Sequence, residues 1–436
     1  MRPERGWLCA LTLLLLAAPE SVAAAAPTVD QAPGPRLRRV TLEQAWAEAR
    51  KHNPRLEFAA AAVARAEAAA QLARAAWLPA LRAQAIYTRL DDERALGERV
   101  LTPRDSLNAA LVLSAPLVDL QKWRQGARAK DAIAAARDRS ADVERRFAQQ
   151  LGAAYLGLLL ERRALEVAER AAATSRTQMQ IAQARRAEGL GTRLEEVRAE
   201  RELRDNQGRA ALGRAALAAA QEALGAITAA GEPLDAIEAP TLPALHTLEA
   251  ALREVRRRPD LAALARDVAL LEREVSDGWV DYLPTLGLTA QPFLQRPATP
   301  TLPAQGWQAQ LALVLPIYDG GARPAAQSDR QARLVQARAS MTLALLEAES
   351  EVRASVTMLS HRQEALTEVE ASARLADESL LLARTAFSEG AGTQVDLIDA
   401  ERSARDAAAA VAVATHDRDR ARLALLLATG RLPFAQ

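Results

Sequence analysis

The sequence predicts a mainly α protein with a small β part, built twice over by an internal duplication. Residues 325–389 contain neither glycine nor proline and consist largely of Ala, Leu, Glu, Arg and Gln, which lose little on entering a helix. One helix over that span would be about 100 Å long at roughly 1.5 Å per residue. Because most helical stability comes from packing, such a helix needs other long helices beside it.

Five segments of the first half recur in the second half in the same order. The pairs are Thr41-Leu42-Glu43-Gln44-Ala45 with Thr247-Leu248-Glu249-Ala250-Ala251, Asn53-Pro54-Arg55-Leu56 with Arg258-Pro259-Asp260-Leu261, Trp77-Leu78-Pro79-Ala80-Leu81 with Tyr282-Leu283-Pro284-Thr285-Leu286, Leu113-Ser114-Ala115-Pro116-Leu117-Val118-Asp119 with Leu313-Val314-Leu315-Pro316-Ile317-Tyr318-Asp319, and Glu188-Gly189-Leu190-Gly191-Thr192 with Glu389-Gly390-Ala391-Gly392-Thr393. The spacing stays between 200 and 206 residues. Chance similarity in a low-complexity sequence does not hold one spacing through five matches, so a duplication is predicted.

Each half is predicted to contain short helices, two strands, a long helix, a glycine-containing turn and a returning helix. The first repeat, 41–230, has strands at 80–90 and 106–117, a long helix at 119–188 and a return helix at 192–224. The second repeat, 246–430, has strands at 285–293 and 307–315, a long helix at 322–389 and a return helix at 393–428. Residues 231–245 are predicted as a linker and 431–436 as a short tail. Thr41 and Gln44 have the spacing of a helix capping box.

The N-terminus has the pattern of a secretory signal peptide over residues 1–26. Arg2 and Arg5 precede an apolar run at 8–18, and small residues follow at 21–26. The alternative is an N-terminal membrane anchor, for which the apolar run is too short. Residues 27–40 are predicted as a leader linker. Cys9, the only cysteine, lies inside the signal, so a mature chain without disulfide or thiolate chemistry is expected.

Composition and motifs argue against several classes of function. The net charge of +1 over 436 residues implies no surface for polyanions, so nucleic acid is not an expected partner. The four histidines are scattered without ligand spacing. The sequence has no nucleophile elbow, phosphate loop or paired-carboxylate cleft. We therefore expect no catalytic residue, no metal site and no cofactor, and hence a protein that is not an enzyme.

The four predicted strands alternate apolar and polar residues over about 9–11 positions, the length of a tilted transmembrane β-strand. A half-buried soluble sheet would give the same alternation. Aromatic residues beside the strands favour the membrane, because they suit a bilayer interface. These candidate interface residues are Trp77, Trp123, Trp279, Tyr282, Trp307 and Tyr318, with Tyr87 inside a strand. After the signal no apolar stretch reaches 18 residues, so any insertion is expected to use strands.

Four strands cannot close a barrel, and an unpaired edge is not tolerated in lipid. The strands must therefore close between copies of the chain. Two, three or four copies would give eight, twelve or sixteen strands, and the sequence by itself leaves this choice open. About twelve strands or more leave a lumen, whereas about eight fill with side chains.

With these features, residues 41–430 resemble the TolC-like outer-membrane efflux protein family. The resemblance is carried by the paired halves, by Pro-(Leu/Ile)-(Val/Tyr)-Asp at the strand-to-helix junctions, and by Gly390-Ala391-Gly392-Thr393-Gln394-Val395-Asp396-Leu397-Ile398-Asp399-Ala400. It implies a homotrimer whose long helical hairpins form a periplasmic α-barrel below a twelve-stranded β-barrel in outer-membrane lipid. Its implied role is the exit duct of a tripartite efflux pump or of a type I secretion system. The implied partners are a periplasmic membrane-fusion adaptor and an inner-membrane transporter.

The resemblance also implies site residues at the far ends of the long helices. The implied adaptor-docking tips are Gly189, Leu190, Gly191 and Thr192 in the first half and Gly390, Ala391, Gly392 and Thr393 in the second. The implied periplasmic aperture is formed by Asp396, Asp399 and Glu195. Judged by the residues alone, Asp396 and Asp399 also fit an ordinary acidic first turn that complements the helix dipole. Both interpretations stand at this point.

The chain departs from the family pattern at Gly392, where some members carry an arginine that helps to latch the mouth shut. The closed state is therefore expected to be held differently or more weakly. The first junction, at Asp119, also lacks the Gly-Gly that follows Asp319. Charges elsewhere are predicted to form i,i+4 pairs on helix surfaces, at Glu200/Arg204, Glu349/Arg353, Glu370/Arg374 and Glu401/Arg405. The alternative of another class is a soluble periplasmic helical scaffold or adaptor.

Overall fold

A computed structural model of the chain describes residues 37–97, 99–243, 247–300 and 302–433. The predicted signal peptide, residues 27–36 of the leader and the last three residues of the tail lie outside these ranges. The folded unit begins at Arg38. It is mainly helical with a small share of strand, which confirms the coarse fold class predicted from composition and periodicity.

The first half contains the elements β1 (Arg38–Val40), α1 (Leu42–His52), α2 (Pro54–Ala75), β2 (Ala80–Arg89), β3 (Arg94–Leu96), β4 (Arg99–Thr102), β5 (Asp105–Val118), α3 (Leu120–Ala187) and α4 (Arg193–Thr228). The capping box predicted at the start of α1 is confirmed. The Gln44 N–H donates to Thr41 Oγ1 at 3.2 Å, and the Thr41 N–H donates to Gln44 Oε1 at 3.0 Å. The 68 residues of α3 extend over about 100 Å.

The second half contains β6 (Leu234–Ala236), α5 (Leu248–Val255), α6 (Pro259–Ser276), a 3₁₀ turn (Asp277–Tyr282), β7 (Thr285–Arg296), β8 (Gln305–Val314), α7 (Ala322–Ser388) and α8 (Gln394–Ala428). From α5 onwards the order of long elements repeats that of the first half. Both α2 and α6 carry proline in their first turn, where its missing N–H has no helical partner to lose.

The main sheet has the antiparallel order β2-β5-β7-β8. The hairpin β2–β5 belongs to the first half and β7–β8 to the second, so the β5–β7 pair joins the two halves. Strands β2 and β8 are left at the two edges. The segment between β2 and β5 contains the small β3–β4 hairpin.

The long helices pack as two hairpins, α3 with α4 and α7 with α8, and α3 also contacts α8. Helix α6 packs on both α3 and α7, whereas its counterpart α2 packs on α3. None of the described helices is long and apolar enough to cross a bilayer.

A hydrophobic core lies part-way along α3, where α1, α4 and α8 also meet the parallel pair β1–β6. Its largest fully buried side chain is Tyr155, whose hydroxyl donates to the Val40 and Glu238 carbonyls at 3.2 and 2.9 Å. Burial raises the pKa of Tyr155. Strand β6 lies inside the segment predicted as a linker, and Leu234 within it is fully buried. This core could not be predicted from the sequence because its strands are only three residues long.

Candidate functional site

The two turns that end α3 and α7 are closed by the same backbone hydrogen bonds. Gly189 and Gly390 have φ values of 75° and 77°, the left-handed conformation that glycine adopts without steric penalty. The N–H of the residue after each glycine donates to the carbonyl five residues back, at 2.8 Å in the first turn and 2.9 Å in the second. This is the Schellman pattern, which stops each helix sharply at the predicted tip.

Each returning helix then begins with a capping box. Thr192 accepts from the Glu195 N–H at 3.2 Å, and the Thr192 N–H donates to the Glu195 carboxylate at 3.0 Å. Thr393 and Asp396 repeat both bonds at 3.2 and 3.0 Å. Each tip is therefore fixed by its own hydrogen bonds, and two of the three predicted aperture residues act within their chain as caps.

At the surface of the tips, Leu190 is 69% exposed. Thr192, Ala391 and Thr393 are exposed as well, while Gly191 and Gly392 are half-buried. The two tips therefore present small and apolar side chains on rigid turns. Such a surface needs little ordering when a partner docks.

The three predicted aperture residues lie close together in the fold but differ in freedom. Hydrogen bonds from the Thr393 side chain and backbone hold the pKa of Asp396 below its ordinary value. The α4 and α8 starts are joined directly, since the Gln394 amide donates to the Glu195 carbonyl at 3.0 Å. The Asp399 side chain is 66% exposed and lies 3.9 Å from Arg402 Nη1. Asp399 is thus the member of the three with the weakest ties to its own chain.

The surroundings of Asp399 are basic. A concavity of about 160 Å³ is lined by Arg198, Arg201 and Arg402 together with Asp399, Val395 and Ile398. The positive charge of these guanidinium groups offsets part of the negative charge of Asp399. A ring of such sites would carry mixed charge, and sequence reasoning anticipated only the acidic part.

A side chain at Gly392 would be crowded by the end of α7. A Cβ at Gly392 would lie 3.1 Å from the Ala386 Cβ and 3.2 Å from the Phe387 backbone nitrogen. The Gly392 N–H donates to the Ala386 carbonyl at 3.0 Å, which keeps the backbone close to the end of α7. A larger residue at this position would require these neighbours to shift by a few tenths of an ångström.

A buried polar network, absent from the sequence predictions, joins the two hairpins behind the tips. Glu202 on α4 accepts from Arg402 Nε at 2.9 Å and from Arg405 Nη1 at 3.2 Å, both on α8. Asn206 accepts from Arg405 Nη1 at 3.0 Å and donates to Ser175 Oγ on α3 at 2.7 Å. Glu202, Asn206 and Ser175 are all buried. The network therefore ties α8 to both helices of the first hairpin.

Glu401 extends the network to α7. Its carboxylate accepts from the Gln178 amide at 3.3 Å and from Arg384 at 3.5 Å. Burial raises the pKa of Glu401 despite the charge of Arg384. Burial also pushes the pKa of Glu202 upwards, but hydrogen bonds and charge from Arg402 and Arg405 outweigh it, so that this pKa lies below its ordinary value. Glu202 is therefore held as a carboxylate between two guanidinium groups.

The network also corrects one predicted surface pair. Glu401 and Arg405 were expected to pair at i,i+4, but Glu401 is bound by Gln178 and Arg384 on other helices and Arg405 is bound by Glu202 on α4. The pairs Glu200–Arg204 and Glu349–Arg353 do form, at 3.8 and 3.0 Å. Within the described residues Glu370 and Arg374 make no ion pair. In the sequence, the only sign of these contacts is that α4 carries acidic residues and α8 basic residues at similar distances from their first residues.

The strand register collects the alternating apolar residues of all four strands on one face of the sheet. Leu81 lies opposite Leu113, Leu113 opposite Ala290, and Ala290 opposite Ala309. The same face carries exposed leucines in every strand. The opposite face carries the polar residues Gln84, Thr88, Ser106, Asn108, Ser114, Thr289, Gln291, Gln308 and Gln310. An apolar face this continuous has no covering layer among the described residues.

Most of the predicted interface aromatics cluster where the sheet meets the helices. The Trp77 and Trp123 rings pack edge to face with centroids 6.4 Å apart. Trp279 and Tyr282 lie in the 3₁₀ turn before β7. The guanidinium of Arg323 covers the Tyr282 ring at 4.6 Å from its centroid, which is within cation–π range.

Two predicted aromatics are among the most exposed side chains. Tyr318 follows β8 at the helix end of the sheet and is 87% exposed, and Trp307, near the start of β8, is 76% exposed. Trp307 lies opposite Pro292 of β7, seven residues along the strand from Thr285. At roughly 3.3 Å per residue, Trp307 and the aromatic residues at the helix end of the sheet lie about 23 Å apart along the strands.

Comparison with known families matches the chain in two segments, residues 46–230 and 253–431, to the family described as Outer membrane efflux protein. The chain belongs to the outer membrane efflux protein family. The resemblance expected from the sequence is confirmed, and with it an outer-membrane location. The boundary between the matched segments lies near the boundary between the two predicted repeats.

Among curated proteins, this efflux family member is 25% identical over 317 residues to the alkaline protease secretion protein AprF of Pseudomonas aeruginosa. The match covers 69% of this chain and spans 64% of the length of AprF. It is also similar to the solved outer membrane protein VceC of Vibrio cholerae, with a TM-score of 0.73, 20% identity, and 90% and 97% of the two chains covered.

A third similar protein is the MtrE outer membrane channel of Neisseria gonorrhoeae, solved in its open state. The TM-score is 0.74 at 20% identity, with 91% of each chain covered. At such identities the likeness establishes the fold of this efflux family member. The family and these neighbours are outer membrane proteins and channels. Within the described part of the chain no cluster of His, Cys, Asp or Glu side chains is arranged to hold a metal ion.

Proposed function

We propose that this efflux family member is the outer-membrane exit duct of a tripartite efflux pump and passively conducts small molecules to the exterior. The observation that carries the proposal is the four-stranded sheet, whose apolar face is continuous and exposed while its strands lead directly into α3 and α7. An apolar face of this kind suits the hydrocarbon layer.

In this proposal three copies close a twelve-stranded barrel in outer-membrane lipid, and their helices form an α-barrel in the periplasm. Support comes from the two free sheet edges, since a lipid-exposed edge has to be paired. A periplasmic membrane-fusion adaptor docks on the tips at residues 189–192 and 390–393, and an inner-membrane transporter supplies the energy. The rigid tips with exposed Leu190 suit such docking.

The test of the duct combines location and conductance. The mature protein is expected in the outer-membrane fraction, and the purified protein is expected to form conducting channels in planar bilayers. Recovery only in the periplasmic wash would leave the soluble scaffold as the better hypothesis. Family membership and the uncovered apolar sheet already favour the duct over that scaffold.

We further propose that Asp396, Asp399 and Glu195 narrow the periplasmic mouth of the duct. The capping bonds fix Asp396 and Glu195 in place, and the exposed Asp399 is free to meet solutes. Rings of carboxylates concentrate cations in a pore. The arginines around Asp399 offset part of the negative charge of these carboxylates. Removing the carboxylate charge is therefore expected to change conductance more than selectivity.

Replacing Asp396→Asn together with Asp399→Asn is expected to raise single-channel conductance or to lower cation preference. The matched control is Asp406→Asn on the same helix, where the carboxylate is 65% exposed and pairs with Arg405 at 2.9 Å. The control is expected to conduct like the unmodified protein. Unchanged conductance and selectivity in the double variant would remove the aperture assignment and leave the capping role alone.

A second candidate function is the export of polypeptides in a type I secretion system. The observation in its favour is the similarity to AprF, a protein named for the secretion of an alkaline protease. The two functions separate in a deletion strain. Accumulation of small molecules in the cell would support efflux, whereas loss of a secreted polypeptide from the medium with normal small-molecule efflux would support secretion.

A further inference from the structure

A groove opens between α2 and α3 immediately below the sheet, and we call it the tryptophan groove. Trp77, just before β2, and Trp123, in the first turn of α3, line its sheet end. Its volume is about 980 Å³, which is near the upper end of the range for ligand sites. The groove lies apart from the tips, the aperture residues and the apolar face of the sheet.

The lining of the tryptophan groove changes from aromatic to basic with distance from the sheet. The Trp77 and Trp123 rings meet at the sheet end, with centroids 6.4 Å apart. Arg74 on α2 and Lys130 on α3 also line the groove. Counted from the tryptophan of the same helix, they lie about 5 and 10 Å further from the sheet, at roughly 1.5 Å per residue. An aromatic layer is thus followed by a layer that contains two cations.

The two cations of the groove are not neutralised by their own chain. Within the residues that the structure describes, neither Arg74 nor Lys130 forms an ion pair, and both are exposed. The acidic residue of the lining, Glu67, lies at the far end of the groove. Its carboxylate is already paired with Arg137 at 2.8 Å. The tryptophan groove therefore carries positive charge that an anionic ligand would neutralise.

The groove opens on the convex side of the helix layer. On the other face of α3, a concavity of about 450 Å³ is lined by α2, α3, α6 and α7 together, so the layer curves around that face. Gln125 and Arg128 line this concavity. They lie about 200° around α3 from Trp123 and Lys130, at roughly 100° per residue. In the proposed duct the concave side surrounds the lumen, so the tryptophan groove faces outwards.

At the corresponding place in the second half, side chains fill the space between the helices. The spacing of 201 residues that relates the two tips places Gln327 at the position of Gly126. The Gln327 amide donates to the Val275 carbonyl of α6 at 3.0 Å, and Arg323 covers the Tyr282 ring. The groove of the first half is open because Gly126 has no side chain with which to occupy it.

We propose that the tryptophan groove binds an anionic phospholipid of the periplasmic leaflet, an inference that rests on the proposed placement of the sheet in the outer membrane. The lipid phosphate lies between Arg74 and Lys130, and the first part of the acyl chains lies against Trp77 and Trp123. Arginine can bind phosphate through two parallel N–H···O bonds, and lysine supplies a point charge.

The order of the two layers matches the order in which a lipid of that leaflet presents its parts. Its chains point towards the bilayer, where the sheet lies, and its phosphate lies on the helix side. Tryptophan is favoured at the level of the headgroups. Basic pockets at one end of membrane-spanning helices bind lipid headgroups. The groove therefore combines the two features that recognise a phospholipid at a membrane surface.

The experiment measures lipid binding by native mass spectrometry of the mature protein, purified from outer membranes and freed of lipid in a neutral detergent. The probes are phosphatidylglycerol and phosphatidylcholine with the same acyl chains. Phosphatidylglycerol is expected to bind more tightly, since phosphatidylcholine carries no net charge. Arg74→Gln combined with Lys130→Gln is expected to weaken phosphatidylglycerol binding by at least about tenfold, because each cation beside an anionic headgroup contributes to the affinity.

The matched control is Arg176→Gln combined with Arg209→Gln, which removes the same charge. Both arginines are exposed, make no ion pair within the described ranges, and lie on α3 and α4 towards the tips, so lipid binding should not change. Gly126→Gln keeps both groove cations and adds the side chain that fills the space in the second half. A Cβ there meets only Trp77 Nε1, at 3.7 Å, an ordinary contact. This variant is expected to fold, as circular dichroism can check, and to bind phosphatidylglycerol weakly.

Three results would overturn the lipid site while leaving the duct intact. One is equal affinity for the two lipids, and another is an equal loss of binding in the groove variant and in the control. The third is full binding by Gly126→Gln, which would place the lipid outside the groove. Displacement of phosphatidylglycerol by inorganic phosphate would show a site for the free anion and would also contradict the proposal. Absence of the protein from the outer membrane would instead contradict the proposed function.

Discussion

Glu202 is a buried carboxylate held by two guanidinium groups from α8, and it is the residue on which the polar network behind the tips depends. Breaking a buried ion pair by removing one partner is costly because the remaining charge is left uncompensated. The turn at Gly392 carries no latching side chain. We therefore expect the Glu202 network to hold the two hairpins together near the tips in place of the arginine found in some family members.

Glu202→Ala is expected to lower the free energy of unfolding by about 3 kcal/mol, at the lower end for a buried pair because Arg402 is partly exposed. The control is Glu200→Ala on the same helix, whose pair with Arg204 at 3.8 Å is solvent-exposed and contributes less than about 1 kcal/mol. Thermal unfolding of the detergent-solubilised variants measures both. Equal effects of the two substitutions would contradict a special role for Glu202.

The same comparison has a pH dependence whose sign follows from the lowered pKa of Glu202. A carboxyl with a lowered pKa stabilises the fold above its ordinary value of 4.5, and that contribution is lost as the pH falls through the folded-state pKa. The stability gap between the unmodified protein and Glu202→Ala should therefore be full near neutral pH. It should narrow below pH 4.5.

Among the elements, two of the three glycines of α4 differ in their packing. A Cβ on Gly225 would come within 2.1 Å of the Glu232 carbonyl oxygen, whereas a Cβ on Gly208 would meet nothing within 4 Å. Gly225→Ala is expected to destabilise by about 1–3 kcal/mol through overpacking. Gly208→Ala is expected to stabilise by up to about 1 kcal/mol through helix propensity. Chemical unfolding should separate the two, and a stabilising Gly225→Ala would show that the Glu232 carbonyl does not press on α4.

The long elements could be predicted from sequence because each is specified locally. The lack of helix breakers before Glu389 predicts a long helix. The glycine and threonine that follow predict that this helix ends and that a new one begins. The structure shows both helices and the turn between them. Strand periodicity likewise placed Leu81 and Leu113 on one face. The pair β1–β6 could not be predicted, since three-residue strands far apart in sequence leave no periodic signal.

At the scale of the whole molecule, the exposed Leu72 is expected to be buried only on assembly. By the repeat spacing, Leu72 corresponds to Asp277, which is buried and pairs with Arg124, and Pro324 corresponds to Arg124. Leu72→Asp therefore introduces a carboxylate that has no arginine partner at the contact between copies. An unpaired buried carboxylate costs several kcal/mol, so we expect loss of the oligomer with retention of the monomer fold. Size-exclusion chromatography with light scattering and circular dichroism measure the two properties.

The control for that substitution is Leu96→Asp. Leu96 is 75% exposed but lies in the small β3–β4 hairpin instead of on α2. It should leave the oligomer intact. Dissociation by Leu96→Asp but not by Leu72→Asp would place the contact elsewhere.

The candidate site shows where sequence reasoning stops. Thr393 and Asp396 could be predicted as a cap because they lie three residues apart. The bond between Glu202 and Arg402 joins residues of different hairpins, and nothing near either residue in the sequence specifies the other. Four helices have to be placed before such a contact exists, so the predicted pair of Glu401 with Arg405 gave way to partners on neighbouring helices.

The near-equal lengths of α3 and α7, 68 and 67 residues, restrict how this chain can change in size. Each helix leads from a strand of the sheet to a tip, so the two tips end at matched helical distances from the sheet. Deleting seven residues from α3 alone would displace its tip by about 10 Å relative to the other. A compensating deletion in α7 would bring the tips level again. Shortening or lengthening of the chain is therefore tolerated only when it happens in both halves at once.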